Sequence, residues 1–278
     1  MSLTLSSIRY LSWVSTRLRL QGPVLLLGRQ MVFGCVDDVA WAIRKQGREP
    51  LYFPDFDSGP NIAGLDASLY GHYTNDICVA KMIVGNVEVD AIDIDPYQGA
   101  TLIHDLAAAL PQSMRGKYGL VLDAGTLEHI FDVKAVLDNL ASCLRPGGVV
   151  VHMSPANGYL DHGYFQISPS LFGDYYASKN MAVDNITLVE QPVRRTNHTQ
   201  WNFWQWDPAI KRKKLLSETL LSTFCAARRV SDHAKSDALI QKFGDYLRES
   251  GDSRDVEIKP WGLRPLTELD PVFDHPVS

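Results

Sequence analysis

Tyr118-Gly-Leu-Val-Leu-Asp-Ala-Gly-Thr-Leu-Glu-His-Ile130 opens as a strand and turns toward a helix. Tyr118 to Asp123 is a short apolar run that reads as a buried strand closed by an acid. From Leu127 to Leu144, the residues Leu127, Ile130, Val133, Val136, Leu137, Leu140 and Leu144 recur at helical spacing, so one helix is expected there. Arg145-Pro-Gly-Gly148 then reads as a turn, and Val149 to Met153 as a second strand ending at Ser154-Pro155. A strand, a helix and a strand in this order imply a parallel pair joined by a crossover.

The same alternation extends outward. Upstream, Val24-Leu-Leu-Leu-Gly28 follows Gly22-Pro23 and reads as another buried strand. Val36 to Lys45 is expected as a helix, with Val36, Val39, Ala40 and Ile43 on one face and Gly47 beyond its end. Leu51 to Tyr73 is rich in Pro, Gly, Asp and Asn and reads as a loop insertion; Asn75 to Val84 is a second helix. Val87 to Asp95 alternates and is ended by Pro96, and Thr101 to Asp105 gives a further short strand. Past Asn157, Ile186 to Val189 is expected as a last strand and Lys211 to Arg228 as a helix carrying Leu215, Leu216, Leu220 and Phe224. The expected class is α/β: a doubly wound, mostly parallel sheet with helices on both faces. One domain is expected over residues 1–278, with a core at about 22–190 and a helical or extended C-terminal extension at 191–278. On such a sheet ligands lie outside the carboxyl ends of the strands, which directs attention to Gly28, Asp93, Asp95, Asp105, Asp123 to Thr126 and Ser154 to Asn157.

Composition removes several function classes. The net charge of -5 disfavours a nucleic-acid partner, because phosphate binding needs a concentrated positive face. No apolar run is long enough to span a membrane. Cys35, Cys78, Cys143 and Cys225 show no CxxC spacing, so neither a metal centre nor a disulfide scaffold is expected, and a reducing, cytoplasmic setting fits. Met1 to Val36 holds four arginines and no acid, as organelle-targeting segments do. Ile8, Leu11, Val14 and Leu18 at helical spacing favour instead a lead-in helix packed on the domain.

A carboxylate ending the second strand can accept both hydroxyls of an adenosine ribose, and Asp93 is preferred to Asp95 for this. Asp105 either meets an adenine amino group or caps the segment that starts at Leu106. At this point a resemblance appears. The Leu127-Glu128-His129 segment after strand four, together with Leu144-Arg-Pro-Gly-Gly148 before strand five, resembles class I S-adenosylmethionine-dependent methyltransferases, and Ala91-Ile-Asp-Ile-Asp-Pro96 resembles their second strand. The resemblance covers Val87 to Asn157 and implies a Rossmann-like methyltransferase fold with S-adenosylmethionine as cofactor. It implies cofactor contacts from Gly28, Arg29, Asp93, Ile94, Asp105, Leu106, Ala124 and Gly125.

One departure stands out. The family's first strand leads into a glycine-rich loop, whereas here Leu27-Gly28-Arg29-Gln30 follows. Either the loop is rebuilt with Arg29 and Gln30 facing the methionine carboxylate, since a guanidinium can replace backbone donors, or cofactor binding is weak or lost. The missing G-x-G-x-x-G turn argues against a nicotinamide enzyme, and leaves a non-catalytic binding or assembly protein as the alternative. An acceptor is expected against Ser154 to Pro169, with His162 and Tyr164 as catalytic residues and Asp161 and Gln166 orienting them. This stretch resembles methyltransferase-like proteins of surface-polysaccharide clusters, which implies a small, sugar-like acceptor. His129 is expected to shape the adenosine pocket, and Glu128 to be structural. Arg194, Arg195 and His198 are further candidates for an anionic acceptor, and Trp201 to Trp206 for core or ligand contact. Lys211 to Lys214 with Arg228 and Arg229 read as a solvated basic face. A homo-oligomer is left open.

Overall fold

The computed structural model describes residues 2–54, 73–191, 201–207, 214–230, 256–258, 263–266 and 269. Its strands are β1 (Val24–Leu27), β2 (Val89–Asp93), β3 (Leu102–Ile103), β4 (Tyr118–Asp123), β5 (Leu144–Asn157), β6 (Met181–Gln191), β7 (Asn202–Gln205), β8 (Lys214–Leu216), β9 (Leu220–Arg229) and β10 (Val256–Ile258). Eight of them form one sheet in the order β3-β2-β1-β4-β5-β9-β6-β7, while β8 and β10 pair separately. Strands β1 to β5 are parallel throughout. Strand β9 runs against both of its neighbours, β5 and β6.

Helices cover both faces, and the period of the strands explains why. Successive strand residues point to opposite faces. In β1, Val24 and Leu26 join the apolar cluster formed with α1 (Leu5–Leu18), α2 (Val36–Arg44) and α3 (Asp76–Val84). Leu25 and Leu27 join the opposite cluster with α4 (Val133–Cys143) and α5 (Pro169–Ser178). A strand buried on both faces has no polar side, which is why β1 and β4 read as unbroken apolar runs. This is the doubly wound, Rossmann-like arrangement the sequence implied.

The N-terminal segment is the expected lead-in helix. Thr4 caps α1 by accepting the Ser7 amide, and Arg19 ends it in the left-handed region at φ 49°. Ile8 and Leu11 are fully buried, and so are Ser6, Ser7, Ser12 and Ser15 on its other sides. Tyr10 donates to Asn185 Oδ1 at 2.8 Å and packs edge-on against Phe224, so α1 is pinned to β6 and β9. The serines of this segment thus belong to a helix packed into the core.

Three expectations are corrected. The helix expected over Leu127 to Leu144 is two pieces: a single 3-10 turn at Leu127–His129, then α4. Asp132 interrupts it by capping α4, its Oδ1 accepting the Ala135 amide at 3.0 Å. The turn expected at Arg145 to Gly148 is instead an irregular start of β5, where the register slips between Tyr118 and Leu120. Most consequentially, the described part of the helix expected over Lys211 to Arg228, from Lys214 on, is not helical but contributes β8 and β9. A short apolar run buried on both faces cannot be told from a helix by spacing alone. Because β9 lies between β5 and β6, the core extends well beyond residue 190.

Trp201 and Phe203 are buried, and Trp204 Nε1 donates to Glu190 Oε2 at 3.1 Å, so the aromatic cluster closes core rather than facing a ligand. Arg228 pairs with Asp184, and Arg229 donates to the Leu144 carbonyl at 2.6 Å. Most of the Leu51 to Tyr73 insertion, Arg194, Arg195, His198 and Lys211 to Lys213 lie outside the described residues. Among the described residues no helix is long and apolar enough to cross a membrane.

Candidate functional site

The parallel register brings the ends of β1, β2 and β4 level beside the middle of β5. Leu27 pairs with Ile92 and with Asp123, and Asp123 pairs with His152. Gly28, Asp93 and Ala124 therefore emerge side by side at the carboxyl edge of the sheet. Gly28 has φ +65°, and a methyl group in place of its hydrogen would lie 3.3 Å from Thr126 Oγ1 and 3.5 Å from Asp93 Oδ2. Both the backbone angle and the space call for glycine here. Thr126 donates to the Leu27 carbonyl at 2.7 Å, which ties the loop after β4 to the end of β1.

Asp93 holds its carboxylate at this convergence. One oxygen accepts the Ile94 amide at 2.7 Å, and among the described residues no ion pair reaches it. Ile94, next in the chain, is 70% exposed although apolar. Asp95 instead accepts the Tyr97 amide and shapes the following turn. Asp105 accepts the Ala107 amide at 2.8 Å, which is the capping role, in a turn rather than a helix, while Leu106 beside it is buried. Ala124 is buried and Gly125 has φ +98°.

The first loop is rebuilt in an unexpected way. Arg29 does not reach toward a ligand carboxylate: its Nη2 lies 2.8 Å from Asp76 Oδ1 and its Nε 3.1 Å from Asp76 Oδ2. Its Nη1 donates to the Gln98 and Gly99 carbonyls, so all three guanidinium nitrogens are engaged. Asp76 also accepts the Gln30 amide at 2.7 Å, while the Gln30 side chain donates to the Leu27 carbonyl at 3.3 Å. A fully buried carboxylate at the start of α3 thus fixes Gly28-Arg29-Gln30, doing for this loop what tight glycine turns do elsewhere. Asp76→Asn removes the charge and half of the fork, so it is expected to lower stability by about 2 kcal/mol, read as a fall in the urea midpoint.

Sequence reasoning missed a buried polar chain behind the loop after β4. Asp123 Oδ2 lies 2.7 Å from His152 Nδ1, and His152 Nε2 lies 2.6 Å from the Tyr176 hydroxyl. A carboxylate only accepts, so Nδ1 donates to Asp123, while Nε2 and the Tyr176 hydroxyl share the second hydrogen bond. The other Asp123 oxygen accepts the Thr126 and Leu127 amides at 2.9 and 3.3 Å. Burial alone would raise the Asp123 carboxyl; the His152 hydrogen bond, its charge and the two amides outweigh that and hold it low. A signal was present: a histidine inside the apolar run Val149 to Met153 must find a buried partner.

Past this chain lies a second cluster. Glu128 is fully buried, and neither carboxylate oxygen accepts a hydrogen bond. Burial, then the negative charge of Asp123, push its carboxyl up to about 7. His162 Nε2 lies 3.7 Å and His129 Nε2 3.9 Å from Glu128 Oε1, and the two imidazoles face each other at 5.3 Å. Burial lowers both histidines. Backbone bonds from Tyr164 and Phe165 to the Glu128 carbonyl fix the approach. Gly163 permits it, since a Cβ there would lie 2.9 Å from that carbonyl oxygen. Tyr164 is 72% exposed and meets Phe131 edge-on at 6.1 Å. Asp161 sits at a turn with φ 64°, and Gln166 is exposed.

An acid on β2 with no ion pair among the described residues, a glycine on β1 and a loop tied across β4 thus meet at the carboxyl edge of a doubly wound sheet, the edge where such sheets take ligands. The family model for the methyltransferase domain matches residues 45–211, more than half of the 278 residues. The chain belongs to this family, an S-adenosylmethionine-dependent methyltransferase on the class I plan that its β4 and β5 motifs already resembled. No curated protein sequence matches it significantly. Solved structures that align over most of the chain are distant. A Burkholderia thailandensis 1,6-didemethyltoxoflavin-N1-methyltransferase shares 12% identity, with 81% of this chain and 78% of that one covered and a TM-score of 0.38. A Thermus thermophilus branched-chain polyamine synthase shares 14%, with 84% and 59% covered and a TM-score of 0.35. The Streptomyces caelestis methyltransferase CcbJ shares 13%, with 81% and 78% covered and a TM-score of 0.26.

Proposed function

We propose that the protein binds S-adenosylmethionine at the Gly28–Asp93 edge and transfers its methyl group to a small, sugar-like acceptor. The observation that carries this reading is the convergence of Gly28, Thr126 and Asp93, with the Asp93 carboxylate left open to solvent. Asp93 accepts the two ribose hydroxyls through charge-assisted bonds. Ile94 supplies the exposed apolar surface against which an adenine ring lies. Asp105 and Leu106 border the base, and Gly28 with Ala124 and Gly125 gives backbone approach to the amino-acid end. Arg29 contributes by holding that loop through Asp76, not by touching the ligand. When bound, the cofactor supplies an electrophilic methyl group; the chain aligns it and excludes water.

The acceptor lies on the other side of the loop after β4, against His162 and Tyr164. His162 acts on the acceptor's nucleophilic atom, and Tyr164 forms a wall together with Phe131. Exposed aromatic faces beside imidazoles suit a ligand with both flat apolar and hydroxyl surfaces, which favours a sugar or glycan precursor of surface-polysaccharide chemistry. Unpaired cysteines fit a cytoplasmic setting. A non-catalytic protein on this fold would fill the adenosine position with side chains; the exposed Ile94 and open Asp93 support the enzyme instead. Titration calorimetry with S-adenosylhomocysteine tests the reading. One ligand per chain at micromolar affinity is expected, and no heat at millimolar ligand overturns it.

A further inference from the structure

We infer that Glu128, His129 and His162 form a site for a first-row divalent cation of the zinc type. Their donor atoms, one from each residue, all lie within 4.8 Å of one another. The Nε2 atoms of His162 and His129 stand 3.7 and 3.9 Å from Glu128 Oε1. An ion bound at about 2.1 Å by tetrahedral ligands sets neighbouring donors about 3.4 Å apart. Rotations of two imidazoles by a few tenths of an ångström at their tips close that difference. Two nitrogens and one carboxylate oxygen suit zinc, iron or nickel better than magnesium or calcium, which prefer all-oxygen shells.

The second observation is independent of spacing. The Glu128 side chain is fully buried, yet neither oxygen accepts a hydrogen bond. A buried carboxylate without donors is costly and rare, and a cation bridging it to His129 and His162 removes that cost. The chain spends local structure on holding it: Gly163 and the amides of Tyr164 and Phe165 clamp the loop against the Glu128 backbone. Among the described residues three protein ligands meet here, and the two imidazoles are 46% and 38% exposed, so further coordination positions face solvent. Three ligands and an open position mark a site that takes a substrate atom. Resting on the methyl-transfer reading, this makes His162 a metal ligand that places an acceptor oxygen, rather than a free base. Spacing carries no signal of this site, because position 162 joins 128 and 129 only through folding.

The test uses the full chain, stripped with a chelator and titrated with zinc chloride against a chromophoric competitor. One zinc per chain is expected, with affinity lowered at least ~10-fold in Glu128→Gln and in His162→Ala, and unchanged in His104→Ala. Equal affinity in all four proteins overturns the inference. Should either variant fail to fold by circular dichroism, the wild-type protein decides. Zinc must protect His129 and His162 from diethylpyrocarbonate, mapped by mass spectrometry, and unaltered labelling overturns the site. S-adenosylhomocysteine is titrated on the same samples. Its binding without zinc binding overturns this site alone; zinc binding without it overturns the methyl-transfer reading alone.

Discussion

Asp93→Ala is expected to weaken S-adenosylhomocysteine binding about 100-fold while leaving the fold intact. Two charge-assisted hydrogen bonds to vicinal ribose hydroxyls are lost, and each contributes about 1.5–3 kcal/mol. Even the lower sum, about 3 kcal/mol, corresponds to roughly two decades of affinity. Among the described residues the Asp93 carboxylate accepts only the Ile94 amide next to it, so the urea midpoint should hardly move. Asp93→Asn keeps one acceptor and should fall between the two, about 10-fold weaker than wild type. Calorimetry separates the three proteins. A loss of stability as large as the loss of binding would mean that Asp93 supports the loop instead of the ligand.

Asp123→Ala carries the largest expected effect on folding. It leaves His152 fully buried with its Nδ1 proton unpaired and frees the Thr126 and Leu127 amides. Removing one partner of a buried polar pair costs about 3–5 kcal/mol, a large fraction of a typical domain's stability of about 5–15 kcal/mol. The sign of its pH dependence follows from the Asp123 carboxyl, held below its ordinary value of 3.8 in the folded protein. Its contribution is therefore complete above about pH 4 and is lost as pH falls through the lower folded value. Urea unfolding of wild type and Asp123→Ala should differ most at neutral pH and converge in acid. A constant difference across that window would show that the charge of Asp123 does not matter. Ligand affinity should fall as well, since the same residue fixes the loop bearing Ala124 and Gly125.

The parallel half of the sheet was legible from the sequence because its strands are buried on both faces. Val24 to Leu27 and Tyr118 to Asp123 leave no polar face to confuse the reading, and the structure places both as expected. That same property hid β9. Leu220 to Arg229 is also largely buried, but Leu216, Leu220 and Phe224 fall by chance at helical spacing, and nothing local states that it enters the sheet backwards. Capping explains the split of the expected 127–144 helix, where Asp132 competes for the backbone. At the site, the strand-end acid Asp93 could be named because its place follows from topology. Arg29 could not be assigned correctly, because its partner Asp76 is 47 residues away and only folding brings them together. Glu128, His129 and His162 were each visible, yet their meeting depends on the path of the chain between Asn157 and Ile167.

The central claim is that the carboxyl edge formed by β1, β2 and β4 is the cofactor site. A crystal structure of the protein grown with S-adenosylhomocysteine tests it most directly. The ribose hydroxyls are expected on the Asp93 carboxylate, the adenine against Ile94 and the amino-acid end over Gly28. Ligand density elsewhere, or an empty edge at saturating ligand, would contradict it.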